Sequence, residues 1–228
     1  MKYVPSALIG QLSKSQGSTT ASRNRFGSYF RNRVQGVNPN TSGQQTIREL
    51  LQTLSQLYRT LTELQRNAWA SLGAQMTRVD SLGQSYTLTG LQAYTSVNMN
   101  LFAIGDAFVS DAPLLAEPTT VEEYSLSVDN SAGEVELTYD VAGPAGSFFI
   151  IDAAAPRSAG INFVPRSDFR TIKVAAADGM VAAINAGTEY IAKFGSPPVG
   201  SKVFVRVKLI NAAGFAGAPT IVSAITVA

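Results

Sequence analysis

The stretch Ile47-Arg48-Glu49-Leu50-Leu51-Gln52-Thr53-Leu54-Ser55-Gln56-Leu57-Tyr58-Arg59-Thr60-Leu61 decides how the first half of the chain folds. Its apolar residues, Ile47, Leu50, Leu51, Leu54, Leu57, Tyr58 and Leu61, follow spacings of three and four without a gap. A period of about 3.6 residues brings such positions onto one stripe, so the spacing predicts an amphipathic helix of about four turns over 44–60. Asn38-Pro39-Asn40-Thr41-Ser42-Gly43, just before it, supplies a turn and several possible N-caps. Thr62-Glu63-Leu64-Gln65 fits a capping box opening a second helix over 63–73, with Leu64, Ala68, Trp69 and Leu72 on one side and Gly73 as a natural stop. Asp80-Ser81-Leu82-Gly83 reads as a turn and 84–88 as a short strand. Thr89-Gly90-Leu91-Gln92 is a second capping box, and the helix behind it, over 90–104, ends at Gly105. The three helices can share one small core. Their tight connection also invites a helix-turn-helix reading, against which the second helix offers only Gln65, Arg66 and Asn67 as base readers.

Upstream of the stripe the chain changes character. Residues 17–43 hold Arg23, Arg25, Arg31 and Arg33 within eleven positions, interleaved with Phe26, Tyr29 and Phe30, and no acidic residue precedes Glu49. Residues 2–9 suit a short strand, and 17–34 suit a β-hairpin or extended arm. On a strand, Tyr29, Arg31 and Arg33 share one face and Phe30, Asn32 and Val34 the other. Such a segment has little with which to build its own core and much with which to hold a partner. Arg23, Arg25, Phe26, Tyr29, Arg31 and Arg33 are therefore the candidate partner-binding residues. The plainer alternative packs Phe26, Tyr29 and Phe30 against the helices.

Downstream, 106–119 holds Pro113 and Pro118 and is the expected linker between a domain at 1–105 and another at 120–228. Beyond it the period becomes two. Tyr124, Leu126 and Val128 alternate, as do Val135, Leu137 and Tyr139, and Phe148-Phe149-Ile150-Ile151 suits a central strand. Segments 171–175, 189–194, 203–210 and 220–227 complete about seven strands, the pattern of a β-sandwich. Residues 178–186 fit a strand or a short helix. The fold class expected is thus α+β: a basic N-terminal β-arm or hairpin with a small helical domain, then an all-β sandwich.

Composition removes several chemistries. The chain has 228 residues and neither histidine nor cysteine, so no Ser-His-Asp triad, Cys-His pair, disulfide or ordinary zinc site can be built. No Gly-rich loop leads into Gly-Lys-Ser/Thr. Glu122/Glu123 and Glu134/Glu136 are acidic pairs of a kind used by glycosidases or calcium, but Glu134 and Glu136 alternate with Val135 and Leu137 and read better as a solvated strand face. Nothing suggests the desolvation that would make Lys173 or Lys202 a catalytic amine. No enzyme activity, cofactor or metal is expected. No apolar run approaches a membrane span, and Met1–Gly10, broken by Pro5, makes a poor signal peptide.

Net charge is +2, with a strong asymmetry: +7 over residues 1–80, −9 over 81–140 with no Lys or Arg, and +4 over 141–228. A basic head before an acidic middle suits nucleic acid, through the former, or a neighbouring copy, through both. Charged residues make up only 15% of the chain, which suits a surface covered in an assembly.

Two resemblances add to this. Val203–Gly214, an alternating strand running into Asn211-Ala212-Ala213-Gly214, followed by Ala218-Pro219, resembles the penultimate strand and turn of fibronectin type III-like modules, which implies an immunoglobulin-like sandwich over 120–228. The span of about fifty residues between the Phe148 and Val203 strands is longer than that module usually has. Residues 17–105 resemble a family of uncharacterised proteins of tailed bacteriophages and prophages. The resemblance is carried by Ser22-Arg23-Asn24-Arg25-Phe26-Gly27-Ser28-Tyr29-Phe30-Arg31-Asn32-Arg33, Leu61-Thr62-Glu63-Leu64-Gln65-Arg66-Asn67-Ala68-Trp69 and Leu88-Thr89-Gly90-Leu91-Gln92-Ala93-Tyr94. It implies a virion setting and a non-enzymatic structural or accessory role of the capsid-associated, decoration type. The partners implied are phage structural proteins and other copies of the chain, in an oligomeric assembly. A nucleic-acid-binding role for the Arg/aromatic arm, or a place in a tail or fibre, is the alternative.

Overall fold

The computed structural model describes residues 2–4, 12–33, 38–80, 82–116, 124–139, 146–177 and 183–228. It is a mixed α+β protein with four helices and several antiparallel sheets among the described residues. Two compact units emerge: residues 1–95 with 110–112, and residues 96–109 with 113–228. The division passes through the third helix, whereas the sequence places a linker at 106–119.

In the first unit, β1 (Lys2–Tyr3), β2 (Lys14–Gln16), β3 (Thr19–Asn24) and β4 (Gly27–Asn32) form an antiparallel sheet in the order β1-β4-β3-β2. β3 and β4 pair as a hairpin within the segment read as a β-hairpin or extended arm. The strand expected over 2–9 is described only at Lys2–Tyr3, since 5–11 lie outside the described residues. Then come α1 (Ser42–Thr60), α2 (Glu63–Gln75) and a small hairpin of β5 (Thr77–Val79) and β6 (Ser85–Thr87). Thr41 Oγ1 accepts from Gln44 N at 3.4 Å and caps α1. The Thr62/Gln65 box is closed in both directions, at 3.3 and 3.0 Å. α2 runs past Gly73 to Gln75, so Gly73 is not its stop. A Cβ at Gly73 would lie 2.8 Å from Leu88 O, and the glycine serves close backbone approach instead.

The stripe on α1 is only partly a core. Leu50 and Leu54 are buried, as is Leu61 just beyond the helix, whereas Ile47, Leu51 and Leu57 are 38–44% exposed. Leu54, Trp69, Leu72, Ala93 and Tyr94 are all buried. Trp69 meets Tyr94 edge-on at 5.2 Å, and its indole N–H donates to Ser110 O at 2.8 Å. The third helix, α3 (Gly90–Ile104), starts with the Thr89/Gln92 box, at 3.3 and 2.9 Å. Gly90 permits the approach of α2: a Cβ there would sit 3.0 Å from Ala70 N and 2.7 Å from the Tyr58 hydroxyl.

The second unit contains β7 (Tyr124–Asp129), β8 (Glu134–Tyr139), β9 (Phe148–Ala153), β10 (Arg157–Ser158), β11 (Arg170–Ala176), β12 (Ile184–Asn185), α4 (Gly187–Phe194), β13 (Ser201–Ile210) and β14 (Thr220–Ile225). One sheet has the order β12-β8-β7. The other runs β11-β9-β13-β14, with β10 joining β13 beyond the end of β9. Their facing side chains make one core, from Val128, Val135, Leu137 and Tyr139 on one side and Phe149, Ile151, Val203, Val205, Val207 and Leu209 on the other. Full burial of such side chains contributes about 1.5–3 kcal/mol each, which makes this core the main source of the unit's stability.

The segment read as a strand over 189–194 is helix α4. Tyr190 and Phe194 lie four apart and their rings meet at 5.2 Å, a helical neighbour relation that the β-prone composition masks. Asn185 Oδ1 accepts from Gly187 N at 2.8 Å and starts the turn. Gly195 at φ 81° ends it, its N–H donating to Ile191 O at 2.9 Å. Tyr190 is wholly buried and donates to Ala154 O at 3.1 Å, and burial pushes its phenol well above the ordinary range. Of the ambiguous segment 178–186, Ile184–Asn185 is a strand, and 178–182 lie outside the described residues.

Candidate partner-binding face

The ladder between β3 and β4 assigns each candidate side chain to a face. Directly opposed pairs share a face, so Thr20/Arg31 and Ser22/Tyr29 lie on one side, and Ala21/Phe30 and Arg23/Ser28 on the other. The neighbouring strands extend both sides: Lys2 stands opposite Tyr29 and Ser15 opposite Thr20, while Tyr3 pairs with Ser28 and Lys14 with Ala21. Tyr29 and Arg31 thus share a face away from Phe30 and Asn32, as their alternation predicts. Val34 lies outside the described residues.

Arg33 follows β4 and donates its N–H to Ser18 O at 2.7 Å, which holds it in the ladder. With Arg31, Ser15, Thr20 and Asn32 it lines an open hollow of about 540 Å³. Ser15 Oγ and Thr20 Oγ1 are 2.7 Å apart on its floor. Arg25 is in the β3–β4 turn and Arg23 is on the opposite face from Arg31. The structure therefore brings Arg31 and Arg33 together and separates them from Arg23.

Arg23, Arg25, Arg31 and Arg33 are all exposed. Among the described residues Arg25, Arg31 and Arg33 make no ion pair. Elsewhere cations find carboxylates: Arg157–Asp168 at 2.7 Å, Lys173–Glu189 at 3.0 Å, and Arg206–Asp152 through Nε at 2.9 Å and Nη2 at 2.6 Å.

Two of the three aromatics, Phe26 and Phe30, meet another ring of their own unit. Phe26 tilts against Tyr86 of β6, with ring centroids 4.6 Å apart, and Phe30 stacks on Tyr3 at 4.4 Å. Lys2, which the sequence reading missed, lies 5.9 Å over the Phe26 ring and pairs with Asp80. The Lys2 ammonium, with the N–H groups of Gln84 and Leu82, holds the Asp80 carboxyl below its usual range. Ser15 and Thr20 also join the Arg31 face unpredicted, while Lys14 falls on the Phe30 side. A strand as short as β2 leaves no alternation from which to find them.

A second charged face lies on the strands β7 and β8. Val128, Val135, Leu137 and Tyr139 point into the core, so Ser127, Asp129, Glu134 and Glu136 point outward, with Asp129 opposite Glu134 and Ser127 opposite Glu136. This agrees with Glu134 and Glu136 as a solvated strand face. Among the described residues no three acidic side chains gather as a metal cluster would, and no helix is long and apolar enough to cross a membrane. Compared with known proteins, the chain matches no family model and no curated protein.

Proposed function

We propose that the chain is a non-enzymatic structural or accessory protein of a tailed-bacteriophage particle, capsid-associated in the manner of a decoration protein. It docks through its N-terminal half and displays a C-terminal β-sandwich of the immunoglobulin or fibronectin type III kind. Its place is the virion, and its partners are phage structural proteins and other copies of itself. A tail or fibre position is the variant of this reading that shares the same docking face.

The observation that carries the proposal is the exposed cationic face of the N-terminal sheet. Arginine's planar fork pairs bidentately with carboxylates, and here Arg31 and Arg33 are held side by side, outside any ion pair among the described residues. For the second unit, the order β12-β8-β7 against β11-β9-β13-β14 supports the sandwich reading. So does the turn after β13, where Asn211 Oδ1 accepts from Phe215 N at 2.8 Å and Gly214 N donates to Asn211 O at 2.9 Å. The long interval between the Phe148 and Val203 strands is filled by β10, β11, β12 and α4.

Nucleic acid is the second reading, favoured by one feature: Arg31 and Arg33 line one hollow with the Ser15 and Thr20 hydroxyls, a donor set that also suits phosphate. One experiment separates the two. Replacing Arg23, Arg25, Arg31 and Arg33 by glutamine is expected to leave the fold intact and abolish incorporation into particles. Normal incorporation with lost affinity for DNA or RNA and a flattened salt dependence would establish the nucleic-acid reading instead.

A further inference from the structure

We infer that the cationic face around Arg31 and Arg33 of one copy docks on the acidic outer face of β7–β8 of another copy, so that chains associate head to tail. The inference rests on the docking role proposed above and names the partner surface.

Three observations meet here. The first is charge: residues 12–33 carry five cations and no acid, and residues 124–139 carry three carboxylates and no cation. The carboxylates are Asp129, Glu134 and Glu136, and among the described residues none of them makes an ion pair. The second is spacing. Arg31 and Arg33 are two residues apart at the end of β4, where the Arg33 N–H keeps the ladder to Ser18 O, and Glu134 and Glu136 are two residues apart on β8. Side chains two apart on a strand repeat at about 6.8 Å, so both rows have one pitch and can be matched pair for pair. The third is an unrelieved repulsion. Asp129 and Glu134 are directly opposed across the ladder, an arrangement that is unfavourable between like charges. Asp129 also stays ionised, because Ser131 N, Ser131 Oγ and Ala132 N donate to its Oδ1 at 2.8, 2.8 and 3.1 Å and hold its carboxyl below the usual range. A guanidinium from a neighbouring chain removes that repulsion and gains bidentate hydrogen bonds.

The two faces are distinct, so the contact extends into a ring or an open file when each copy engages two neighbours, and closes as a pair when two copies exchange both faces. Exposed pairs are screened by salt, which makes the association ionic-strength dependent.

Sedimentation velocity with charge-reversed variants tests this. The wild type is expected to associate at low ionic strength and to lose about tenfold or more in affinity near 1 M salt, where the screening length is about 3 Å. Arg31→Glu with Arg33→Glu reverses one face, and Glu134→Arg with Glu136→Arg reverses the other. Each variant alone should be monomeric, and an equimolar mixture should associate, because each reversed face then meets its opposite. A wild type that remains monomeric to about 1 mM at low salt overturns the inference. So does either variant associating like wild type, or a mixture that stays monomeric. If circular dichroism shows that a reversal unfolds the chain, the corresponding glutamine pair replaces it, and undiminished association of that pair overturns the inference equally. A monomeric wild type that still enters particles would leave the docking role standing, and self-association by a chain that never enters particles would do the reverse.

Discussion

The four-stranded N-terminal sheet and the paired sheets of the second unit are built from the same backbone ladder and held by different forces. In β9 five of six residues are buried, and in β13 six of ten. In β3 none is buried, and in β4 only Ser28 is. The second unit is therefore stabilised by apolar surface removed from water. The first sheet relies on its hydrogen bonds, on Tyr3 against Phe30, on Phe26 against Tyr86, and on Lys2 with Asp80. A sheet without a core leaves its side chains exposed, as Arg23, Arg25, Arg31 and Arg33 are.

The contrast can be broken most decisively in the second unit's core. Phe149 is fully buried and touches Tyr124 and Tyr139 edge-on, so Phe149→Ala is expected to cost about 3–5 kcal/mol in denaturant melts. In the first unit Leu54→Ala, also fully buried, should cost about 2–5 kcal/mol, while Leu51→Ala on the same helix should cost well under half as much, since Leu51 is 39% exposed. Equal losses at the two positions would show that the whole stripe is covered.

Arg206 tests a buried charge. Its guanidinium grips Asp152 and lies 5.1 Å from the Phe169 ring, and Thr171 Oγ1 donates to the other carboxylate oxygen at 2.6 Å. Arg206→Met should cost about 1–3 kcal/mol, because the buried Asp152 carboxyl loses its main partner. Asp152→Asn in the Arg206→Met background should recover part of that loss, and no recovery would place the effect in packing alone.

The smaller effects belong to the N-terminal sheet. Asp80 has its carboxyl lowered from an ordinary value of 3.8, chiefly by Lys2. A carboxyl lowered on folding contributes stability that is present above its unfolded value and lost as pH falls through the folded one. Acidification below about pH 4 should thus weaken protection of the β1–β4 amides from hydrogen exchange in the wild type more than in Asp80→Asn. Smallest of all, the four-arginine glutamine variant should melt within about 0.5 kcal/mol of wild type, because all four positions are exposed and substitutions at such positions cost little. A large loss there would mean that the face is structural.

Signals confined to a few neighbouring residues were the legible ones. Both capping boxes, Thr62/Gln65 and Thr89/Gln92, and the Asn211–Gly214 turn appear where the sequence places them, because each is closed by side chains and backbone within a few positions. The buried strands β9 and β13 were legible for a related reason, since a run such as Phe148–Ile151 has few alternatives to a core. Helix α4 was not legible, because Tyr190 and Ile191 suit a strand equally well in isolation. Its helical state rests on Asn185 at one end and on the pocket that receives Tyr190.

What the sequence determined by itself is therefore the local grammar: where three helices start, the mixed class, the alternation that separates Tyr29 and Arg31 from Phe30, and the segregation of charge along the chain. Tertiary structure decided which members of the α1 stripe are covered, how Lys2 comes to flank β4 and Ser15 to flank β3, and that Arg23 parts from Arg31 and Arg33. It also decided that Asp129 faces Glu134. Each of these depends on a strand or helix distant in sequence, and pairing across such distances is chosen by the packing of whole elements, which local propensity does not encode.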